Sequence, residues 1–214
     1  MLIAKLTAVA AACLQLIAAG SSSAIAQQGR FETLPIEASW GSDGRSMKIL
    51  KPFAFIDKNT VRWSVPSGTE TDGASIPKQF WTIMGGPFEG SYRDAAVVHD
   101  RYCDARTRRW EDTHTMFHDA MLASGVGSTR AWLMYKAVER FGPRWPEPVV
   151  PAECKLPDGT IDYIRCTQNT TKQGEKWFPE FNKTELEKFL AEVAPRADQK
   201  DIEAVRAKAN ELPR

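Results

Sequence analysis

The hydrophobic pattern of the chain changes period once, and this change constrains the fold more than any other feature. Between residues 30 and 66, apolar and polar residues alternate, and β-branched or aromatic residues are frequent, which indicates short strands. Between residues 91 and 142, apolar residues recur at the three- and four-residue spacing of helices that pack on one face. Strands followed by helices predict an α+β fold, in which a small antiparallel sheet packs on a three-helix core.

Capping residues mark the ends of the three predicted helices. Ser91, with Asp94 three residues later, approximates a capping box and predicts the start of the first helix. Thr113 lies early in the second helix. Ser128 is a candidate cap for the third helix, and Gly142 is suited to end it.

The residues after the helical region differ in composition. A proline-rich segment, residues 143–148, disfavours regular structure. Amphipathic helices are predicted to begin near Thr184 and near Asp198. We therefore divide the chain into a core domain, residues 30–142, and a C-terminal extension, residues 143–214, that combines a proline-rich linker with a helical tail.

The N-terminus has the pattern of a secretory signal peptide. Lys5 precedes an apolar run over residues 6–19, and Ala24 and Ala26 form a small-x-small cleavage site. The run is shorter than the ~20 apolar residues that a membrane-spanning helix needs, and no second run of that length follows it. We predict cleavage of residues 1–26 and a periplasmic or secreted mature chain without a transmembrane segment.

Charge and cysteine content narrow the class of protein. The 28 Lys and Arg residues nearly balance the 27 Asp and Glu residues, so the composition argues against a nucleic-acid partner. Three cysteines follow the predicted cleavage site. In an oxidising compartment Cys154 and Cys166 can close a small loop and leave Cys103 over, although spacing alone does not establish the geometry of a disulfide.

All three histidines of the chain lie within 20 residues of one another, inside the first two predicted helices. They are His99, His114 and His118. His99 shares a helical stripe with apolar neighbours, so it should point inward. If the two helices form an antiparallel hairpin, His99 and His114 approach each other. The side chain of Asp100 points about 100° further round the helix.

This cluster predicts a hydrolytic site, with His99, Asp100 and His114 as catalytic residues. A histidine near its ordinary pKa acts as a general base at neutral pH, and a neighbouring carboxylate orients it or holds Ca²⁺. In a variant of this prediction the same three residues bind Zn²⁺. The alternative is that the histidines are satisfied core residues and that Asp100 pairs with Arg93 or Arg106; for His118 we prefer this alternative.

The loop before the helices carries two candidate substrate-binding residues, Asp72 and Ser75. Loops that lie against a rigid helical pair often present binding groups, so these side chains are expected beside His99. The simpler alternative is an ordinary turn at Asp72-Gly73 followed by an extended connection. Ser75 lacks the Gly-x-Ser-x-Gly surroundings of a hydrolase nucleophile.

Several separated motifs occur in a fixed order between about residues 49 and 142. They are Thr71-Asp72-Gly73-Ala74-Ser75-Ile76-Pro77, Phe80-Trp81, Tyr92 to His99-Asp100, Phe117, Ala120-Met121, Gly125-Val126, Met134-Tyr135 and Phe141-Gly142. This order resembles DUF1353, a family of unknown function found in bacteria, prophages and phages. The resemblance implies a fold but no activity. Where the family is expected to carry an acidic residue three positions before Phe117, this chain has His114.

A weaker likeness is to the small prokaryotic phospholipases A2, whose helical pair carries a His-Asp dipeptide. His99-Asp100 fits that dipeptide, whereas His114 and Ala96 depart from the acid and from one cysteine of the pattern. The likeness implies that His99 activates a water, that Asp100 helps to hold calcium, and that carbonyls of residues 85–90 complete the shell of the ion.

Two classes of function follow. The first is an envelope hydrolase, with peptidoglycan or phospholipid as its partner; occurrence of the resembled family in phages favours the wall, because phages must cross it. The second is a non-catalytic periplasmic binding or assembly module, to which seven tryptophans contribute contact surface. A cleft lined by His99 favours the first class, whereas buried histidines without a cleft favour the second.

Overall fold

The structure is a computed structural model. It describes residues 29–73, 75–86, 88–149, 151–160, 162, 166 and 174–209. The predicted signal peptide, residues 1–26, therefore lies outside the described residues.

The predicted antiparallel strands are present, but they form two three-stranded sheets rather than one. The strands are β1 (Arg30–Glu32), β2 (Ala38–Trp40), β3 (Met47–Ile49), β4 (Phe53–Ile56), β5 (Arg62–Val65) and β6 (Glu70–Thr71). One sheet has the order β1-β4-β5 and the other the order β2-β3-β6. The chain changes sheets between β3 and β4, where Pro52 has no N–H to contribute to a continuous ladder.

The helices begin after a single turn of 3-10 helix, Lys78–Phe80. They are α1 (Trp81–Met84), α2 (Arg93–Ala105), α3 (Trp110–Ala123), α4 (Ser128–Phe141), α5 (Lys183–Val193) and α6 (Gln199–Ala209). Together with the two sheets they confirm the predicted α+β class.

Two of the predicted caps differ from the structure. The N-cap of α2 is Tyr92, without a side-chain hydrogen bond, so the Ser91 cap was wrong. The N-cap of α4 is Gly127 rather than the predicted Ser128, which is the first residue of the helix. Gly142 is the C-cap of α4, as predicted. Tyr92 is almost fully buried, so its packing and its hydroxyl contacts decide where α2 starts.

Helices α2, α3 and α4 pack consecutively, and the sheets cover them: β5 and β6 contact α2, whereas β1 contacts α3. The turn between α2 and α3 is anchored by Arg108, which is 1% exposed. Its guanidinium carbon lies 3.9 Å from the ring centre of Trp63, and one of its NH₂ groups donates to the Arg62 carbonyl at 2.6 Å. The turn of the helical hairpin is thereby attached to β5.

The C-terminal helices fold back onto the domain. Helix α5 contacts α4 and α6, and α6 contacts α1. The Phe189 ring packs edge-on against Phe80 and Phe141, with ring centres 5.7 and 5.3 Å apart. Leu190 and Val205 are fully buried in the same core as the three central helices. The extension therefore completes the core rather than standing apart from it.

Cys154 and Cys166 form a disulfide, which confirms the pairing considered from the sequence. Cys103 is a free and buried thiol. Within the described part of the chain, no helix has the length and apolarity needed to cross a membrane.

Candidate functional site

The hairpin of α2 and α3 brings His99 and His114 into contact, as the sequence predicted. The Nε2 atom of His99 lies 2.9 Å from the Nδ1 atom of His114. The two side chains are 0% and 1% exposed. Because each contacting atom is a ring nitrogen, one ring donates the hydrogen and the other accepts it.

Aromatic side chains surround this pair and exclude it from solvent. The Phe117 ring stacks on His99 with 4.6 Å between ring centres, and Trp110 and Trp145 approach the His114 ring. Burial and the neighbouring His114 hold the pKa of His99 well below its usual range. Burial lowers the pKa of His114 to about 4, against the opposing effect of the Pro143 carbonyl. Both rings are therefore neutral at neutral pH.

Asp100 faces away from the histidines and toward the loop that precedes α2. Its carboxylate accepts a hydrogen bond from the Thr71 hydroxyl and another from Ser75. Burial raises the pKa of Asp100 to about 6, although both hydroxyl contacts act in the opposite direction. The negative charges of Asp104 and Asp72 raise the pKa of Asp100 a little further.

The arginine partners considered for Asp100 are engaged elsewhere. Arg93 lies 3.7 Å from Asp94, and Arg106 donates to the Gly174 carbonyl. The structure thus replaces the considered ion pair with two neutral hydroxyl donors, which lower the pKa of the carboxyl by less than burial raises it.

Cys103 joins the two halves of the cluster. Its Sγ atom lies 3.6 Å from the Nε2 atom of His99, and it shares a hydrogen bond with Ser75. Burial raises the pKa of the Cys103 thiol well above its usual range, so it is protonated and is not a nucleophile. Sequence analysis missed both Cys103 and Thr71. The i, i+4 spacing of His99 and Cys103 on one helix was the available signal.

The structure separates the two predicted loop residues. Ser75 is largely buried at the cluster and also lines a groove of about 330 Å³. The rings of Phe141, Phe178 and Phe181 form the apolar part of this groove. Asp72 instead lies on the surface, where its carboxylate is 3.5 Å from Arg45. The negative charge of Asp72 raises the pKa of Asp100.

His118 lies outside the cluster. Its Nδ1 atom is 3.4 Å from the Asp119 carboxylate, and its ring centre is 5.5 Å from that of Tyr135. It packs on the outer side of α3 and touches none of the cluster residues in these contacts.

The geometry does not fit the predicted metal ligands. His99 and His114 point their nitrogens at each other at hydrogen-bond distance, while Asp100 turns to Thr71 and Ser75. Among the described residues, no three His, Cys, Asp or Glu side chains are grouped so as to hold a metal ion. A zinc or calcium role for His99, Asp100 and His114 remains a prediction.

Two of the carbonyls expected to complete a calcium shell, those of Gly85 and Gly86, accept hydrogen bonds from within the chain. The Tyr92 hydroxyl lies 2.6 Å from the Gly86 carbonyl and 3.0 Å from the Gly85 carbonyl, and it donates to this pair. Nothing in the structure or in the comparisons supports the likeness to phospholipases A2.

Comparison with known proteins identifies the segment that carries the cluster. The family described as "Protein of unknown function (DUF1353)" matches residues 47–138. The matched segment runs from β3 into α4 and contains Thr71, Ser75, His99, Asp100, Cys103 and His114.

Two relatives from Sinorhizobium fredii are named as uncharacterized proteins. One, y4jT, is 44% identical over 118 residues, which is 55% of this chain and 35% of the relative. The other, y4iH, is 48% identical over 101 residues, which is 47% of this chain and 42% of the relative. The aligned region thus covers less than half of each relative. No solved structure matches the chain.

Proposed function

We propose that this chain is a hydrolase of the bacterial envelope, in which Asp100 and Ser75 carry out the chemistry. One observation carries the proposal: a buried carboxyl with a pKa of about 6 is hydrogen-bonded to a serine that lines an open groove. A buried carboxyl with a shifted pKa beside a cleft is typical of active sites. Among the described residues, Ser75 both contacts the cluster and lines this groove.

Asp100 suits the role of general base. Its carboxyl is mainly ionised at neutral pH, yet basic enough to accept a proton. In the proposed reaction Asp100 takes the hydroxyl proton of Ser75, whose Oγ attacks the carbonyl carbon of an ester. The bond to the leaving alcohol breaks, and Asp100 returns the proton to that alcohol. Water then cleaves the acyl-serine by the same proton transfers.

His99 and His114 act as positioning residues in this proposal. Both are neutral at neutral pH and lie away from the solvent, so neither is suited to exchange protons with a bound substrate. Their mutual hydrogen bond joins α2 to α3. This hydrogen bond fixes the position of α2, and thereby the position of the Asp100 carboxylate relative to the Ser75 hydroxyl.

The groove indicates the class of substrate. Its wall combines three phenylalanine rings with Lys78 at one side. An apolar acyl chain fits the rings, and the Lys78 ammonium suits an anionic head group. We therefore favour a phospholipid ester over a peptidoglycan linkage.

Secretion of the mature chain is part of the proposal. The disulfide between Cys154 and Cys166 supports it, because such bonds persist in oxidising compartments. Fractionation of the source cells, with N-terminal sequencing, is expected to find the chain outside the cytoplasm and beginning at Gln27. A cytoplasmic chain that retains residues 1–26 would contradict this part.

The test of the hydrolase is turnover of nitrophenyl acyl esters and of phosphatidylglycerol vesicles. The wild type is expected to turn over substrate with a kcat/KM that rises through an apparent pKa near 6. Ser75→Ala and Asp100→Asn should each remove this activity. Ser39→Ala, at an exposed strand position, is the matched control for the serine.

Asp104→Asn is the control for the carboxylate. It makes the same change one helical turn further on, at an exposed side chain. Because the Asp104 charge raises the pKa of Asp100, this variant should keep its activity with a slightly lower pH midpoint. Turnover that persists unchanged in Asp100→Asn, or no turnover in the wild type, would reject the hydrolase.

A second candidate is a non-catalytic binding module. The burial of His99 and His114, away from any groove described above, favours it. Under this proposal the cluster is structural, so Ser75→Ala and Asp100→Asn change the free energy of unfolding and leave ligand binding intact.

A further inference from the structure

A second groove, of about 470 Å³, adjoins the groove that Ser75 lines. Its wall includes three aromatic residues and three charged residues: Trp40, Trp81, Phe88, Arg45, Lys78 and Glu89. We propose that this groove is a binding site for a saccharide chain. The proposal does not depend on hydrolysis by Asp100 and Ser75.

Trp40 is the first support. It lies on β2, and 63% of its surface is exposed. An exposed tryptophan leaves a large apolar area in water, which folding alone would not favour. Its ring centre is 5.5 Å from that of Phe88, at an angle of 77°. Two rings nearly at right angles form a corner that can contact one sugar ring by its face and its edge.

Trp81 is the second support. Its indole Nε1 atom is buried and has no hydrogen-bond partner among the described residues. Buried donors in native proteins nearly always have a partner, and Trp81 lines the groove, so we infer that this donor meets a ligand acceptor when the groove is occupied. A sugar hydroxyl or ring oxygen can accept this hydrogen bond.

The wall is held in place before any ligand binds. The Glu89 carboxylate accepts from the Gly86 N–H at 3.0 Å, and the Tyr92 hydroxyl donates to the carbonyls of Gly85 and Gly86. A site held in one conformation loses less entropy when a ligand binds.

The charges favour a saccharide over an ionic ligand. Arg45 is balanced by Asp72 at 3.5 Å, and the groove itself carries Lys78 and Glu89 with opposite signs. Donors and acceptors of both kinds beside exposed rings match sugar hydroxyls and an apolar sugar face. A highly charged partner would need an excess of one sign.

The two grooves share one residue, Lys78, which lines both walls. A saccharide in this groove would therefore lie next to the groove that Ser75 enters. Because the linings of the two grooves have Lys78 in common and otherwise differ, substitutions in one groove allow saccharide binding and hydrolysis to be measured separately.

The test is titration of N-acetylglucosamine tetramer into the purified protein, followed by calorimetry and by tryptophan fluorescence. We expect saturable binding that Trp40→Ala and Phe88→Ala each weaken by about tenfold or more. Trp177→Ala is the matched control, because Trp177 is also exposed, at 49%, and lies outside the groove wall described here. It should bind as the wild type does.

Three results would overturn the saccharide site: no saturable binding by the wild type, equal losses in Trp40→Ala and Trp177→Ala, or Trp40-dependent binding to phospholipid vesicles without saccharide binding. Asp100→Asn separates this proposal from the hydrolase. Saccharide binding that survives in Asp100→Asn, in a protein with no turnover, supports the site even if the hydrolase is wrong.

Discussion

The imidazoles of His99 and His114 share one hydrogen bond, with 2.9 Å between His99 Nε2 and His114 Nδ1, inside the helical hairpin. The His114 ring is 1% exposed, and its contact with the Pro143 carbonyl only partly offsets the effect of burial on its pKa. Protonating either ring would place a charge in this apolar environment. The pair is therefore expected to make the fold sensitive to acid.

Replacing His114 by Asn should reduce this sensitivity, because Asn does not titrate but can still hydrogen-bond to His99. The pKa of His114 is about 4 in the folded chain and 6.5 ordinarily, so the unfolded chain binds more protons between these values. Stability due to this residue is thus lost as the pH falls from 6.5 to 4. We expect urea unfolding to show a loss on the order of 3 kcal/mol from this residue. An unchanged pH dependence in His114→Asn would contradict the pKa shift.

Asp100→Asn should change the pH dependence of stability in the opposite direction. The folded pKa of Asp100 is raised to about 6 from 3.8, so the folded chain holds the extra proton in this window. Stability due to Asp100 falls as the pH rises from 3.8 to 6, by on the order of 3 kcal/mol. In the wild type, this change in the free energy of unfolding partly cancels the change that the two histidines cause. Asp100→Asn should therefore lose stability more steeply than the wild type as the pH falls. A shallower dependence of the free energy of unfolding on pH would contradict the raised pKa of Asp100.

His114→Asp tests the departure of this chain from the family pattern that it resembles. A carboxylate beside His99 Nε2 favours the protonated imidazole, so the pKa of His99 should rise. Chemical shifts of the His99 ring followed by NMR through a pH titration would measure this change. His118→Asp, on the outer side of α3, should leave the His99 titration where it is in the wild type.

Opening the disulfide should destabilise the chain. The bond between Cys154 and Cys166 closes a loop with a sequence separation of 12, and loop entropy assigns such a closure about 3 kcal/mol. The paired Cys154→Ser, Cys166→Ser variant should lose this amount in chemical unfolding and become insensitive to reductant. If reductant lowers the melting temperature of that variant as much as that of the wild type, the effect is not due to this bond.

Leu190→Ala tests whether α5 belongs to the core. Leu190 is fully buried among the central helices, and such truncations cost roughly 2 to 5 kcal/mol. Leu50→Ala makes the same truncation at a side chain that is 53% exposed, so it should cost far less. Equal small losses would mean that the C-terminal helices do not contribute to the fold.

The local patterns were sufficient for the class of fold and for the approach of the two histidines. Period-two and helical spacing predicted strands and then helices, and the turn between α2 and α3 allowed the hairpin that joins His99 to His114. The capping prediction at Ser91 was wrong because burial of Tyr92 decides where α2 begins.

The sequence by itself determined the α+β class, the helical hairpin and the pair of cysteines that could be bridged, because each depends on residues that are close along the chain or on their chemical type. Only the tertiary structure decided that Asp100 meets Thr71, 29 positions away, and that the C-terminal helices share the core. Packing of distant segments selects those partners. Desolvation in the packed interior then sets the pKa of Asp100 in a way that no local pattern encodes.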